Sequence, residues 1–277
     1  MRIVVVDIEV FAYDWIAVFL DTSTGQFSVY HNDNLGVSVM MSQPDVIFCG
    51  YNNKHYDNHI IKAICCGADP ALVKQINDFI IVEDRPGWEH WFLRRNKFRF
   101  DSFDLMDDTQ VGTSLKHIEA HSNWNIEETE VDFSLDRPLT PKEIESTVHY
   151  CKWDVKATAM LLTLRKGYLE AKLNVGRAKG IPDAKALYPT NARLTADYLD
   201  AKPVKRYDER EYSYPDNLSL DLIPGEVIEF FDQLHDSSIP DKELFNSQLK
   251  IDVDGAEAAI GFGGIHHARQ NYMEEAD

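Results

Sequence analysis

Long hydrophobic runs are missing from this 277-residue chain. No apolar stretch reaches the roughly 18 residues that a membrane span requires. The opening "MRIVVVDIEVF" is interrupted by Asp7 and Glu9 and carries no small-residue cleavage site, so it reads as a first strand rather than a leader. No membrane partner and a cytoplasmic location are expected. Cysteine is scarce as well: Cys49, Cys65, Cys66 and Cys151 form no CxxC pair. That pattern excludes a disulfide framework and a zinc knuckle, and leaves small, reduced, apolar side chains. Positive charge is also short, with 28 Lys and Arg against 46 Asp and Glu, a formal net charge of −18. Such a chain lacks the basic surface that broad duplex binding needs. It retains the carboxylates from which divalent-metal sites are built.

The length suits one large domain or two modest ones. Residues 2–11, 14–20 and 26–31 are β-branched or aromatic runs between polar breaks, the signature of a three-stranded meander. A buried strand is expected over 44–52, a helix over 55–68, a short helix over 70–77, and a further strand over 98–106. "TSLKHIEAHSN" (113–123) has a cap and helical spacing. The strongest helix pattern covers 139–171, where Thr140 is placed as N-cap, Pro141 at the first helical position and Glu143 as partner in a capping box. Strands first, then alternating helices and strands, predict a mixed α/β sheet flanked by helices. After residue 172 the character changes: a Gly/Pro-containing connection (174–183), helices near 190–200 and 225–235, and a closing strand–turn–strand form a smaller α+β connecting region. The expected division is therefore 1–172 and 173–277.

Three acidic pieces stand out. Asp7 and Glu9 are two apart on a strand, so both point to the same face at the end of an apolar run. Asp57 follows Tyr56 at a strand-to-helix junction. Asp154 lies in "VHYCKWDV", and a helix advances about 100° per residue, which sets Tyr150 about 40° from Asp154 on one flank of the apolar stripe. His149 falls about 140° away from Asp154, beside Lys152 and Lys156 on the wet side. Four carboxylates cannot share a pocket and stay ionised without cations. Two divalent ions about 4 Å apart relieve such a set, and oxygen-only ligands favour Mg2+ or Mn2+ over zinc. Tyr150 is then positioned to aim a water at a phosphodiester.

These residues resemble the 3′→5′ proofreading exonuclease region of DNA polymerases, of the Asp-Glu-Asp-Asp type with a tyrosine. The first motif matches "DIE" (Asp7, Glu9), the second "NNKHYD" (Asn52, Tyr56, Asp57), and the third "YCKWD" (Tyr150, Asp154). "TSLKHIEAH" and "VDFSLDRPLTPKEIESTVHYCKWDVKAT" are similar to phage-type DNA polymerases, and a phage origin makes the expected compartment the host cytoplasm. The resemblance covers roughly residues 1–170. It implies a ribonuclease-H-like fold and release of nucleoside monophosphates from single-stranded DNA 3′ ends with two Mg2+ or Mn2+ ions. By the same implication Asp7, Glu9, Asp57 and Asp154 hold the metals, Tyr150 acts on the water, and Asn52 and Tyr56 line the DNA channel. Asn53 takes the place of Asn52 if the loop register differs by one. Glu9 also reaches the terminal 3′ hydroxyl.

Beyond that region, "GFGGIHHARQNY" (261–272) resembles the Gly-Gly segment before the palm of some viral DNA polymerases, and no palm follows it. "DAKALYPT" (183–190) has the spacing of a polymerase motif but no apolar strand before Asp183, and is read as capping a helix. A separate or missing polymerase module is therefore an expected partner. The competing readings are an exonuclease acting on RNA and a non-enzymatic docking piece of a split polymerase. Lys116 and Arg99 are read as solvated surface, with a substrate contact by either as the alternative.

Overall fold

Residues Arg2–Val10 form the first strand, β1, and its alternation organises the domain. In the computed structural model Val4, Val6, Ile8 and Val10 face one layer of helices, while Val5 faces the other. Asp7 and Glu9 share the face of Val5. β2 (Trp15–Asp21) pairs antiparallel with β1 and is buried along its whole length. β3 (Phe27–His31) pairs antiparallel with β2, which completes the meander. β4 (Val46–Gly50) and β5 (Ser102–Asp104) add on parallel to the other side of β1, giving the order β3-β2-β1-β4-β5.

The structure describes residues 2–109, 113–127, 129–202, 214, 216–236, 238–253, 256–261 and 264–267. They divide into two units, Met1–Lys202 and Pro203–Asp277. The first is a mixed five-stranded sheet with helices on both faces. It includes residues 173–202, beyond the expected change of character at 172.

On one face lie α1 (Asn34–Met41), α2 (Asp57–Cys65) and α3 (Pro70–Ile81), with Val37, Met40, Ile60, Ile64, Val73 and Ile76 packed on the even-numbered side of β1. The α1 segment, "NLGVSVMM", carries a glycine and two valines, and its helical state comes from the Asp33 cap and from packing. α3 continues through Ile81 behind its Asp69 cap, so "FII" finishes a helix. A short helix, α4 (Trp91–Arg95), and α5 (Leu115–His121) flank β5 in sequence.

On the other face lies α6 (Pro141–Leu164). The capping box forms as expected: the Thr140 hydroxyl accepts from the Glu143 N–H, and the Glu143 carboxylate accepts from the Thr140 N–H at 2.7 Å. Both ends of α6 are fastened to the sheet. The Leu139 N–H donates to Asp14 in the β1–β2 turn at 2.8 Å, and Arg165 donates to the carbonyls of Leu105 and Asp107 after β5. Arg165 ends the helix, and α7 (Lys166–Ala178) starts directly after it. The helix expected through 171 divides here although nothing in "LLTLRKGYLEA" breaks a helix; the break falls at Arg165, which reaches to the turn after β5. α8 (Asp183–Leu187) and α9 (Asn191–Tyr198) complete the unit. Asp183 of "DAKALYPT" is held by Arg177 at 2.8 Å, and Thr190 caps α9.

The second unit has α10 (Gly225–Asp232), α11 (Asp241–Asn246) and an antiparallel sheet of β6 (Gln248–Val253), β7 (Ala256–Gly261) and β8 (Gly264–His267). Val227, Phe230 and Ile260 form its core. The Gly-Gly segment at 261–272 falls largely outside the described residues, and no reading of it is tested. Among the described residues no helix is long and apolar enough to cross a membrane.

Candidate active site

The pairing of β1 with β4 stops at Val5, whereas β1 runs on beside β2 through Asp7 (opposite Val18) and Glu9 (opposite Ile16). A notch opens where β4 leaves. Gly50, the last residue of β4, permits this exit: a Cβ there would lie 2.8 Å from the Asn53 side chain and 3.1 Å from the Val6 carbonyl. The following loop is tied down by Asp104 at the end of β5. Its carboxylate accepts from the backbone N–H groups of Asn52 (2.8 Å), Lys54 (3.0 Å) and Met106 (2.8 Å). Asn52 takes a left-handed conformation, φ 64°, which asparagine tolerates better than most residues. The loop then delivers Asp57 as the first residue of α2.

Across the notch, α6 presents Asp154. Carboxylate oxygens of Asp7, Glu9 and Asp154 lie within 4.8 Å of one another. Like charges at about 4 Å repel by roughly 4 kcal/mol per pair at an effective dielectric near 20. Three such pairs are comparable to the whole stability of a domain, roughly 5–15 kcal/mol. The folded protein responds by resisting ionisation. Burial, then Asp154, push the Asp7 carboxyl from 3.8 up to about 7. Burial, then Asp7 and Asp154, hold Glu9 well above the usual carboxylate range. Asp57 stands outside the tight trio but close enough to be raised by burial and then by Asp7, and its Oδ1 is buried with no hydrogen-bond partner.

Among the described residues, one cation reaches this cluster. Lys116, on α5, donates to Asp154 Oδ1 at 2.5 Å and sits 3.3 Å from Glu119. The expectation that Lys116 is solvated surface is therefore corrected: α5 packs beside the middle of α6, at Trp153 and Asp154, and the lysine turns inward. Glu119, fully buried, also accepts from Trp153 Nε1 at 3.2 Å. Sequence reasoning missed Glu119 and Asp104, since a lone carboxylate in a helix or strand pattern signals neither burial nor partners.

Tyr150 is half-buried, with the Lys116 ammonium 5.1 Å from its ring centroid. Burial, then Asp154 and Glu9, raise its hydroxyl above the ordinary tyrosine value, so it stays a proton donor. His149 is 78% exposed and pairs with Glu127 at 3.2 Å, on the wet side where the helix rotation sets it. Tyr56 turns its hydroxyl away to Asn77 Oδ1 at 2.6 Å, though the carboxylates of Asp57, Glu9 and Asp7 still act on it. Of the two asparagines, Asn52 is exposed, while Asn53 is buried against Asn58 and leaves its own Oδ1 unpartnered.

The donor set suits a hard divalent cation: three clustered carboxylates and an orphaned carboxylate oxygen nearby, all oxygen. The Cys151 thiol is buried beside Asp7, with Sγ 3.0 Å from Oδ2, and its raised pKa keeps it a thiol rather than a soft thiolate ligand. Comparison with protein-family models finds no match to this chain, and neither does comparison with curated proteins.

Proposed function

We propose that the first unit is a 3′→5′ exonuclease of the Asp-Glu-Asp-Asp type with a tyrosine, built on a ribonuclease-H-like fold and serving as the proofreading part of a phage-type DNA polymerase. The observation that carries this reading is the gathering of Asp7, Glu9 and Asp154, from two elements 145 residues apart in the chain (154 − 9), with Tyr150 on the same helix flank. The strand order, with β2 antiparallel to β1 and with β4 and β5 parallel to it, supports the fold assignment.

Asp7, Glu9, Asp57 and Asp154 hold two Mg2+ or Mn2+ ions in this proposal. Bound there, the ions supply positive charge to the scissile phosphate and lower the pKa of an attacking water. The chain's own residues do the remainder. Tyr150, protonated and half-buried, donates a hydrogen bond that orients the water. Asn52, exposed on the loop after β4, meets the strand entering the notch, and the Tyr56 ring, anchored through Asn77, forms a wall. Lys116 balances part of the carboxylate charge. The substrate is the 3′ end of single-stranded DNA, since a duplex offers no free terminal nucleotide to thread between α6 and the loop.

A 5′-labelled single-stranded oligodeoxynucleotide with Mg2+ tests the proposal. Stepwise shortening that disappears in Asp7→Ala is expected. Absence of shortening in the unaltered protein with either Mg2+ or Mn2+ overturns the reading.

A further inference from the structure

The stretch from Arg85 to Arg99 contrasts with the chain that carries it. It holds five cations and one carboxylate in a protein whose acids outnumber its bases 46 to 28. Elsewhere in the first unit many basic side chains are paired with carboxylates, as Arg2 is with Asp21, Lys74 with Asp78 and Arg137 with Glu143. Arg94, Arg95, Lys97 and Arg99 are exposed and have no carboxylate ion-pair partner among the described residues. Two indoles stand among them in water: Trp88 is 58% exposed and Trp91 is 51% exposed. The Arg95 guanidinium lies over the Trp91 ring at 5.9 Å.

A groove of about 650 Å3 runs beside this stretch, lined among others by Asn58, His59, Lys62, Trp88, Phe98 and Arg99. Its volume falls within the roughly 300–1,000 Å3 of small-molecule sites. Trp88 is backed from within: the His59 ring lies 6.1 Å away, and His59 is seated so closely that a Cβ on Gly87 would come within 2.6 Å of it. Burial depresses His59 to about 4, so the support is neutral at physiological pH. Lys62 donates to the Leu93 carbonyl at 2.6 Å and has no carboxylate ion-pair partner among the described residues. Asp45 and Asp101 line the groove too, against Lys54, Lys62 and Arg99, and the neighbouring stretch adds Arg94, Arg95 and Lys97 outside the lining. Excess cations without partners, beside solvent-facing indoles held from behind, are the chemistry that accommodates a single nucleic-acid strand: phosphates on the cations and bases on the rings.

We propose that this groove and its basic rim bind single-stranded DNA, with a base stacked on Trp88 and phosphates against Arg99, Lys62 and the Arg94–Arg95 pair. The site is separate from the carboxylate notch. The two are connected through α2, which sends Asp57 to the notch and Asn58, His59 and Lys62 to the groove.

The test is anisotropy titration of a fluorescein-labelled oligodeoxythymidylate of about 15 nucleotides. It is run on the full chain in EDTA, where no phosphodiester is cut, so its outcome does not depend on whether the carboxylates form a nuclease. The triple variant Arg94→Glu, Arg95→Glu, Arg99→Glu is expected to bind at least about tenfold more weakly, and its salt slope to flatten by about 2, at about 0.7 per lost phosphate contact. Trp88→Ala is expected to bind about tenfold more weakly with its salt slope kept, while Trp88→Phe keeps most of the affinity. Quenching of tryptophan fluorescence by the strand should fall in Trp88→Phe, which marks direct contact. All four positions are solvent-exposed, so the unfolding temperature should hold. An unaltered protein that fails to bind, or variants that bind as it does, overturns the proposal.

Discussion

Helix α2 borders two regions of opposite character. In the notch beside Asp57, the half-buried Asp7 and Glu9 are drawn together with Asp154, and the carboxyls of Asp7, Glu9 and Asp57 are held above their ordinary range. Beside the groove that Lys62 lines, Arg94, Arg95, Lys97 and Arg99 stay in water with no carboxylate partner among the described residues. Buried like charges are costly and exposed ones are cheap. Ionising the notch therefore costs energy that a proton, Lys116 or an incoming cation offsets, whereas the groove simply offers charge to a polyanion. Burial, more than the sign of the charge, separates a site that assembles around a ligand from a surface that waits for one.

The comparison breaks most severely at Asp154. Asp154→Ala should slow shortening of single-stranded DNA by at least about 10³-fold, measured from gel-resolved rates. In EDTA the same variant should bind oligodeoxythymidylate at least as tightly as the unaltered protein. A parallel loss of both would merge the two regions into one.

A second test stays within the notch. Tyr150→Phe should lower turnover by about 10²-fold while calorimetric Mn2+ binding persists, because the hydroxyl aims water rather than holding metal. His149→Ala should leave turnover within about twofold, since its ring faces solvent. The reverse ranking would move the water to the other side of α6.

A third test concerns pH. The Asp7 pKa is raised from 3.8 to about 7, and Glu9 and Asp57 are raised as well. A group raised on folding contributes stability below its unfolded value that is lost as pH climbs through the folded value. The metal-free protein should therefore lose thermal stability between about pH 4 and pH 7. With saturating Mn2+ the trend should reverse, because the ionised carboxylates then have a partner. Groove variants should leave both curves unchanged in shape.

The smallest effect belongs to the support of α6. Thr140→Ala removes one side of the capping box and should cost about 1 kcal/mol, a shift of roughly 2–4 °C in unfolding temperature. Scanning calorimetry checks it.

Much of this was legible in residue order. The meander, the α6 cap and the common flank of Tyr150 and Asp154 follow from periodicities of two and of 3.6, which depend only on neighbours along the chain. Asp7 and Glu9 were readable because charge interrupts an apolar strand. Lys116 was not, because the turn that folds α5 over α6 leaves no mark in "SLKHIEAH", and Glu119 gave no signal that it would be buried with Trp153. Arg99 was read as bare surface; its meaning appears only once Trp88, His59 and Lys62 line the same groove. The end of α6 at Arg165 was hidden for the same reason, as Arg165 reaches carbonyls in the turn after β5, far off in the chain.

The sequence by itself determined which residues face together within each strand and helix, since local geometry needs no partner. Only the tertiary structure decided which of those faces meet. It brought Asp154 to Asp7 and Glu9, placed Lys116 on Asp154 and left Arg94, Arg95, Lys97 and Arg99 without a carboxylate partner among the described residues, because burial and pairing are properties of contacts between elements far apart in the chain.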